Sequence, residues 1–340
     1  MTGQKSIQFS DFHPTPSDIE KDILQGLSAP QKQIPPKYFY DEKGSAYFEQ
    51  ICQLPEYYLT RTEIGLLKRY GEDIADLIGP HPVLLELGSG SSLKIRLLLE
   101  ALHPSLYLPM DISKNHLLQS ANALAADYPW LDIHALCVDY SQNLNLPTQE
   151  PGFRRIAFFP GSSIGNFDPH DAVGLLQRIR RMISPDGGLL IGVDLIKDTA
   201  VLEAAYNDEH GITAAFNKNL LIRLNRDLNA DFVVDRFRHK AFYNDRRHRI
   251  EMHLESDRKQ VVSVAGTNVP FRHGETIHTE NSYKYSIAGF QRLVTEAGFR
   301  PVKVWTDPDH FFSLHYLANT DEYYHSKNTV TKFPLPLGEG

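Results

Sequence analysis

The stretch that decides the fold is Val83-Leu84-Leu85-Glu86-Leu87-Gly88-Ser89-Gly90-Ser91-Ser92-Leu93. Val83 to Leu87 is a short run, apolar but for one glutamate, of the length of a buried strand rather than a helix. Gly88 and Gly90 follow, where the lack of a Cβ lets backbone approach a ligand closely. The next residues, LKIRLLLEALH, repeat apolar side chains at helical spacing. Strand, glycine turn and helix open a nucleotide-type βα unit. Leu93 stands where the dinucleotide fingerprint GxGxxG has its third glycine, which disfavours an NAD-dependent dehydrogenase.

The same rhythm continues outward. EIGLLKRYGEDIADLI (63–78) reads as a helix before this unit, and LYLPMDIS (106–113), LDIHALCVDY (131–140), RRIAFFPGSSIG (154–165) and GLLIGVDLI (188–196) read as strands after it. KNHLLQSANALAADY (114–128) and DPHDAVGLLQRIRRMI (168–183) are the intervening helices. Near-continuous apolar strands alternating with helices predict a doubly wound α/β domain with a parallel sheet. After residue 197 the rhythm stops: one helix is expected over 199–228, then alternating segments FRHKAFYN, RRHRIEMHLES and KQVVSVAGT, which suit antiparallel strands. SIAGFQRLVTEAGF, RPVKVWTD and FFSLHYLAN restore helix, strand, strand. The expected partition is an N-terminal segment (1–60) contributing to a smaller α+β substrate domain, a first part of the main domain (61–196), an inserted substrate-binding domain (197–285), the last helix and antiparallel strand pair of the main domain (286–320), and a disordered tail (321–340). The first dozen residues are expected to fray.

The chain has 340 residues, with 35 Lys+Arg against 42 Asp+Glu, a net charge of −7 that leaves no basic footprint for a nucleic-acid backbone. Its 2 cysteines, Cys52 and Cys137, match no metal or redox spacing and suit a reducing compartment. No apolar run is long enough for a membrane span, and MTGQKSIQFSDFHP is too polar for a secretory signal. A cytoplasmic monomer acting on a small molecule, without nucleic-acid or membrane partners, is expected. The histidines number 15; His310 and His315 near Asp307 and Asp309 yield no compact set of three ligands, so no metal is expected. The run Asp245-Arg246-Arg247-His248-Arg249 reads as a hairpin surface.

Acidic residues close successive strands: Glu86 before the glycine turn, Asp111 at the end of the next strand, and Asp139 beside Tyr140 at the end of the third. A carboxylate at the second position can accept both hydroxyls of a ribose, and Asp139 with Tyr140 can meet an adenine. Further upstream Tyr38, Phe39, Tyr40, Tyr47, Phe48, Tyr57 and Tyr58 crowd into one segment; such density builds core or a domain seam, or walls a pocket. Asn166, in Ile-Gly-Asn-Phe-Asp, is either a helix cap or a ligand group at the C-terminal end of the fourth strand. Glu280 and Ser282, two apart on a strand, share a face and offer an acceptor and a hydroxyl side by side.

The turn E-x-G-x-G, the two aspartates and the antiparallel last strand pair resemble class I S-adenosylmethionine-dependent methyltransferases. With PPKYFYDEKGSAYFEQICQLPEYYLTRTE, LLELGSGSSLK, FFPGSSIGNF and ETIHTENSYKYS, the chain from Ile34 to Asn319 resembles the histidine Nα-methyltransferases of ergothioneine biosynthesis. The resemblance implies a Rossmann-like fold and three methyl transfers from S-adenosylmethionine to the α-amine of L-histidine, giving hercynine. It implies donor binding by Glu86, Gly88, Ser89, Gly90, Lys94, Asp111, Ile112, Asp139 and Tyr140. It places Asn166 and Tyr206 at the amino-acid head, Tyr57 near the carboxylate, Tyr40 and Ser163 beside the amine, Phe48 and Met252 on the pocket wall, Glu280 with Ser282 at the imidazole, and Gly161 among the substrate-binding residues. Tyr40, Ser163 and Asn166 are the residues expected to act in catalysis. Ser163 departs from the threonine frequent in the family. An N-methyltransferase for another aromatic amino acid, or a protein that binds these ligands without turnover, are the competing readings.

Overall fold

Val83–Leu87 is buried along its whole length and pairs in parallel on both sides, with Leu106–Asp111 and with Arg155–Phe159. The computed structural model describes residues 7–12, 16–90, 92–142, 154–183 and 186–319. In chain order the elements are β1 (Gln8–Phe12), α1 (Pro16–Leu27), β2 (Lys32–Gln33), α2 (Glu42–Ile51), α3 (Tyr58–Ile78), β3 (Val83–Leu87), α4 (Leu93–Leu102), β4 (Leu106–Asp111), α5 (Lys114–Asp127), β5 (His134–Val138), β6 (Arg155–Phe159), α6 (Pro169–Met182), β7 (Gly188–Asp194), α7 (Thr199–Ala204) and α8 (Ile212–Asp227). There follow β8 (Phe237–Asn244), β9 (Arg249–Ser256), β10 (Gln260–Val264), β11 (Thr267–Phe271), β12 (Thr276–Tyr283), α9 (Ile287–Glu296), β13 (Phe299–Thr306) and β14 (Phe312–Asn319).

The main sheet has the order β1-β5-β4-β3-β6-β7-β14-β13, parallel except that β14 runs antiparallel to both β7 and β13. Alternation along each strand divides the core into two layers. Leu84, Ile156 and Phe158 pack with Leu66 of α3, Leu98 of α4 and Leu124 of α5; Leu85, Ala157 and Phe159 pack with Leu176 of α6 and Phe290 of α9. Helices therefore cover both faces, as the apolar strands predicted. Among the described residues no helix is long and apolar enough to cross a membrane.

A second sheet, β2-β12-β9-β8, stands beside the main one, with β10 and β11 as a separate hairpin. β12 is the hinge between the sheets: it pairs with β2 and β9, and just beyond its end Tyr285 bridges to Leu195 after β7.

Four sequence expectations change. Gln8–Phe12 does not fray but forms an edge strand of the main sheet, parallel to β5, where the Ser10 hydroxyl meets His134 Nε2 at 2.9 Å and Asp11 pairs with Lys114 at 2.8 Å. The helix expected over 199–228 is two helices, because the Asp208 carboxylate accepts the N–H groups of Ile212 and Thr213, both at 2.8 Å, and starts α8 anew. The strand expected over 154–165 ends at Phe159: Gly161 and Ser162 adopt φ of 77° and 58°, and Ser163–Asn166 coils into a 3-10 helix. Arg249 is not surface; it is buried and paired with Glu251 at 2.7 Å and Asp168 at 3.0 Å. The tail expected at 321–340 lies outside the described residues.

Candidate active site

The C-terminal ends of β3, β4, β5 and β6 open into a cleft of about 290 Å³, the place where ligands bind in open α/β sheets. Gly88, Gly90, Asp111, Ile112, Asp139 and Tyr140 line it, and Lys37, Phe48, Glu49 and His116 close it from the N-terminal segment and α5. Gly88 has a φ of 73°, a conformation that a side chain would strain. Asp111 accepts the Gly90 N–H at 3.2 Å and the Ser113 N–H at 2.8 Å, so the carboxylate ties the glycine turn to the next strand. Burial still pushes its carboxyl above the ordinary range, against those hydrogen bonds. Asp139 accepts the Ser141 N–H at 3.0 Å and pairs with Lys37 at 3.2 Å.

Three residues read with this cleft are not on its wall. Glu86 turns away from it and accepts a hydrogen bond from Tyr107, and its burial pushes the carboxyl up to about 8. Lys94 pairs with the fully buried Glu63 at 2.6 Å, and Glu63 in turn accepts the Gly161 N–H at 2.9 Å. This bridge holds the turn after β6 against α4. Ser89 is buried, and its hydroxyl has no hydrogen-bond partner among the described residues.

A smaller cavity of about 40 Å³ adjoins the cleft. Tyr57, Gly161, Tyr206, Met252, Glu280 and Ser282 line it, and Tyr40, Phe48, Ser163 and Asn166 line both spaces. The wall they share is aromatic. Tyr40 meets Phe48 edge on at 5.7 Å, Phe48 meets Tyr57 at 6.2 Å, and Tyr57 meets Tyr206 at 6.2 Å. The aromatic segment thus divides its labour: Phe39 and Tyr58 are core, whereas Tyr40, Phe48 and Tyr57 are wall. Burial raises the Tyr40 and Tyr57 phenols well above their ordinary value, so both are neutral donors near pH 7.

Asn166 does not cap α6. The cap position is Asp168, whose carboxylate instead accepts the Tyr283 hydroxyl at 2.8 Å and the Arg249 guanidinium at 3.0 Å. Asn166 is left to face the two cavities. Glu280 and Ser282 lie on the same face of β12, as the spacing required, and burial pushes the Glu280 carboxyl up to about 7 against the opposing field of Lys284.

Sequence reasoning missed what stands behind this wall. Lys284 is buried, with Nζ 2.7 Å from Asp194, 2.8 Å from the Ser282 hydroxyl and 3.1 Å from the Tyr206 hydroxyl. Asp194 also accepts from Tyr58 at 2.8 Å and pairs with Lys197 at 2.6 Å. A lysine in an alternating polar strand carries no signal that separates this from a solvated face. Also unforeseen is the convergence of Glu251, His253 and His278 within 4.8 Å. His253 already bonds Glu251 through Nε2 at 3.1 Å and Thr276 through Nδ1 at 3.2 Å, so both ring nitrogens serve the fold. His310 and His315 do not converge: His315 is fully buried against Ser313, and His310 sits exposed in a turn.

The model of the family described as "Histidine-specific methyltransferase, SAM-dependent" matches residues 19–319. A histidine N-alpha-methyltransferase of Mycolicibacterium smegmatis is 40% identical over 302 residues, covering 87% of this chain and 93% of that protein. One of Mycobacterium tuberculosis is 39% identical over 307 residues, covering 88% and 94%. Ergothioneine biosynthesis protein 1 of Neurospora crassa is 32% identical over 310 residues, which span 85% of this chain but 33% of that longer protein. The glycine turn, the acidic strand ends and a family match over nearly the whole described chain lead to one conclusion: this chain belongs to the S-adenosylmethionine-dependent, histidine-specific methyltransferases.

Proposed function

We propose that this methyltransferase converts L-histidine to hercynine by three successive transfers to the α-amine, the first step of ergothioneine biosynthesis. The observation that carries the proposal is the pair of adjoining cavities with Tyr40, Phe48, Ser163 and Asn166 on their common wall. A donor in one and an amine in the other would meet at that wall.

The larger cleft fits S-adenosylmethionine in its chemistry. Its glycines leave room for close backbone approach, and Asp111 and Asp139 end adjacent strands as acceptors for a ribose and an adenine. The Ser89 hydroxyl, buried in the glycine turn and unpartnered among the described residues, is a further polar group beside that cleft. When bound, S-adenosylmethionine supplies an electrophilic methyl group. Glu86 and Lys94 act beneath the site, by fixing the strand end and the turn at Gly161.

The acceptor must present a neutral amine, yet a free α-amine is mostly protonated near pH 7. Walls of Tyr40, Phe48 and Tyr57 disfavour the ammonium by desolvation. Asn166 holds the amino-acid head, with Tyr57 at the carboxylate; Tyr206 lines the cavity beside them with its hydroxyl turned to Ser282 and Lys284, and Tyr40 orients the nitrogen lone pair while water removes the proton. Positioning of the nitrogen against the methyl does the rest. Met252 floors the side-chain pocket, Glu280 takes a ring N–H, and Ser282 meets the other ring nitrogen. In this reading the second sheet and the residues from 16 to 60 form the acceptor-holding unit.

Mass spectrometry of the purified protein mixed with histidine and S-adenosylmethionine tests this directly. Mono-, di- and trimethylated histidine are expected in sequence. Methylation of tryptophan or tyrosine without histidine would replace the substrate, and binding without any product would make the protein a non-catalytic receptor.

A further inference from the structure

The hydrogen-bond arithmetic behind the smaller cavity points to a role for Lys284. An ammonium has three N–H donors and no lone pair. All three directions are taken, by Asp194 Oδ2 at 2.7 Å, Ser282 Oγ at 2.8 Å and Tyr206 Oη at 3.1 Å. Tyr206 and Ser282 are themselves 2.8 Å apart, so a single hydrogen lies between their oxygens. The phenol is the stronger acid and donates it. Ser282 Oγ then accepts twice, from Lys284 and from Tyr206, and its own hydrogen has only the cavity to point into.

We propose that Lys284 is a positioning residue that makes Ser282 an obligate donor to the substrate ring, so that the site takes imidazole as one neutral tautomer. The proposal rests on histidine being the acceptor. Glu280, on the same face of β12, offers the complementary acceptor. A ring that satisfies both must carry one N–H, for Glu280, and one bare nitrogen, for Ser282. Imidazolium has no bare nitrogen and also faces the Lys284 charge. Indole has the N–H alone, and phenol has neither at that spacing. Lys284 keeps its charge: burial would lower its pKa, but Asp194 and Tyr206 more than offset this. Removing it does not orphan Asp194, which retains Tyr58 at 2.8 Å and Lys197 at 2.6 Å.

Two measurements decide. The first uses ring-15N histidine bound to the wild-type protein with S-adenosylhomocysteine. One pyrrole-type and one pyridine-type resonance are expected; two pyrrole-type resonances, the mark of imidazolium, or two tautomerically averaged ones would overturn the proposal. The second compares kcat/KM for histidine with that for 3-(2-thienyl)alanine, whose ring has similar size and no nitrogen. Loss of the hydrogen bond to the ring should shrink this preference about tenfold in Ser282→Ala, more through KM than through kcat; Lys284→Met keeps the hydroxyl but frees its hydrogen to turn toward Tyr206, and should shrink the preference by a smaller factor in the same parameter. The double variant should be no worse than Ser282→Ala, because Lys284 acts on the ring only through the serine hydroxyl. A Lys284→Met preference equal to wild type, beside a collapsed one in Ser282→Ala, would show that Lys284 does not act through the serine. If neither Ser282→Ala nor Glu280→Ala lowers the preference, it is the histidine reading that fails.

Discussion

Gly165 and Tyr283 pack backbone to backbone: a Cβ on Gly165 would lie 2.7 Å from the Tyr283 carbonyl oxygen and 3.0 Å from its nitrogen. Gly165 belongs to the 3-10 turn that carries Ser163 and Asn166, and Tyr283 ends the strand that carries Glu280 and Ser282. The contact therefore sets the distance between the turn carrying Ser163 and Asn166, proposed to act on the amine, and the strand face carrying Glu280 and Ser282, proposed to hold the ring. Gly165→Ala must push the strand away, at a cost of about 1–3 kcal/mol. A lowered melting temperature together with reduced kcat for histidine is expected. Thermal denaturation and turnover unchanged from wild type would show that the two walls are not held by this contact.

Asn166 faces both cavities and caps nothing. Asn166→Ala should therefore lower kcat/KM for histidine by roughly 10–100-fold, the range for losing a hydrogen bond to a charged group. The melting temperature should stay near that of wild type. A large fall in stability with preserved kcat/KM on the folded fraction would assign the residue to the fold instead.

Tyr40 is a neutral phenol on the shared wall, its ionisation suppressed by burial. Each methyl added to the amine removes an N–H and makes the lone pair harder to aim. Tyr40→Phe should slow the third transfer more than the first, so that dimethylhistidine accumulates in single-turnover mass spectra. Equal slowing of all three steps would remove the orienting role.

Glu86 links stability to pH. Its carboxyl is pushed up to about 8 in the fold by burial, whereas an ordinary glutamate ionises near 4.5. Between those values the folded chain holds a proton that the unfolded chain has released, so stability falls as pH rises through the window. Glu86→Gln removes that loss. Its melting temperature relative to wild type should rise between about pH 5 and about pH 8. A difference that does not change with pH would mean that the carboxyl is ionised throughout.

Much of the larger cleft was legible because it is written locally. Parallel strands joined by helices bring their C-terminal ends to one edge, so Gly88, Asp111 and Asp139, each at the end of a strand, had to meet. The pair Glu280 and Ser282 was legible for the same kind of reason, a period of two along one strand. The aromatic segment was legible only in composition. Which of its rings pack in the core and which line the cavity depends on how α2 and the turns before and after it lie against α8, and ring contacts such as Tyr40 to Phe216 at 5.9 Å span a long stretch of chain.

By itself the sequence determined the parallel sheet, the glycine turn beneath the larger cleft and the shared face of Glu280 and Ser282, because these follow from short-range periodicity and turn chemistry. Only the tertiary structure decided that Glu86 and Lys94 serve beneath the site, that Gln8–Phe12 extends the main sheet, and that Lys284 and Asp194 lie behind Ser282. Those are pairings between distant segments, settled by which strand docks where. The pattern of a single strand shows a lysine on a polar face, and only the strand's neighbours reveal that water never reaches it.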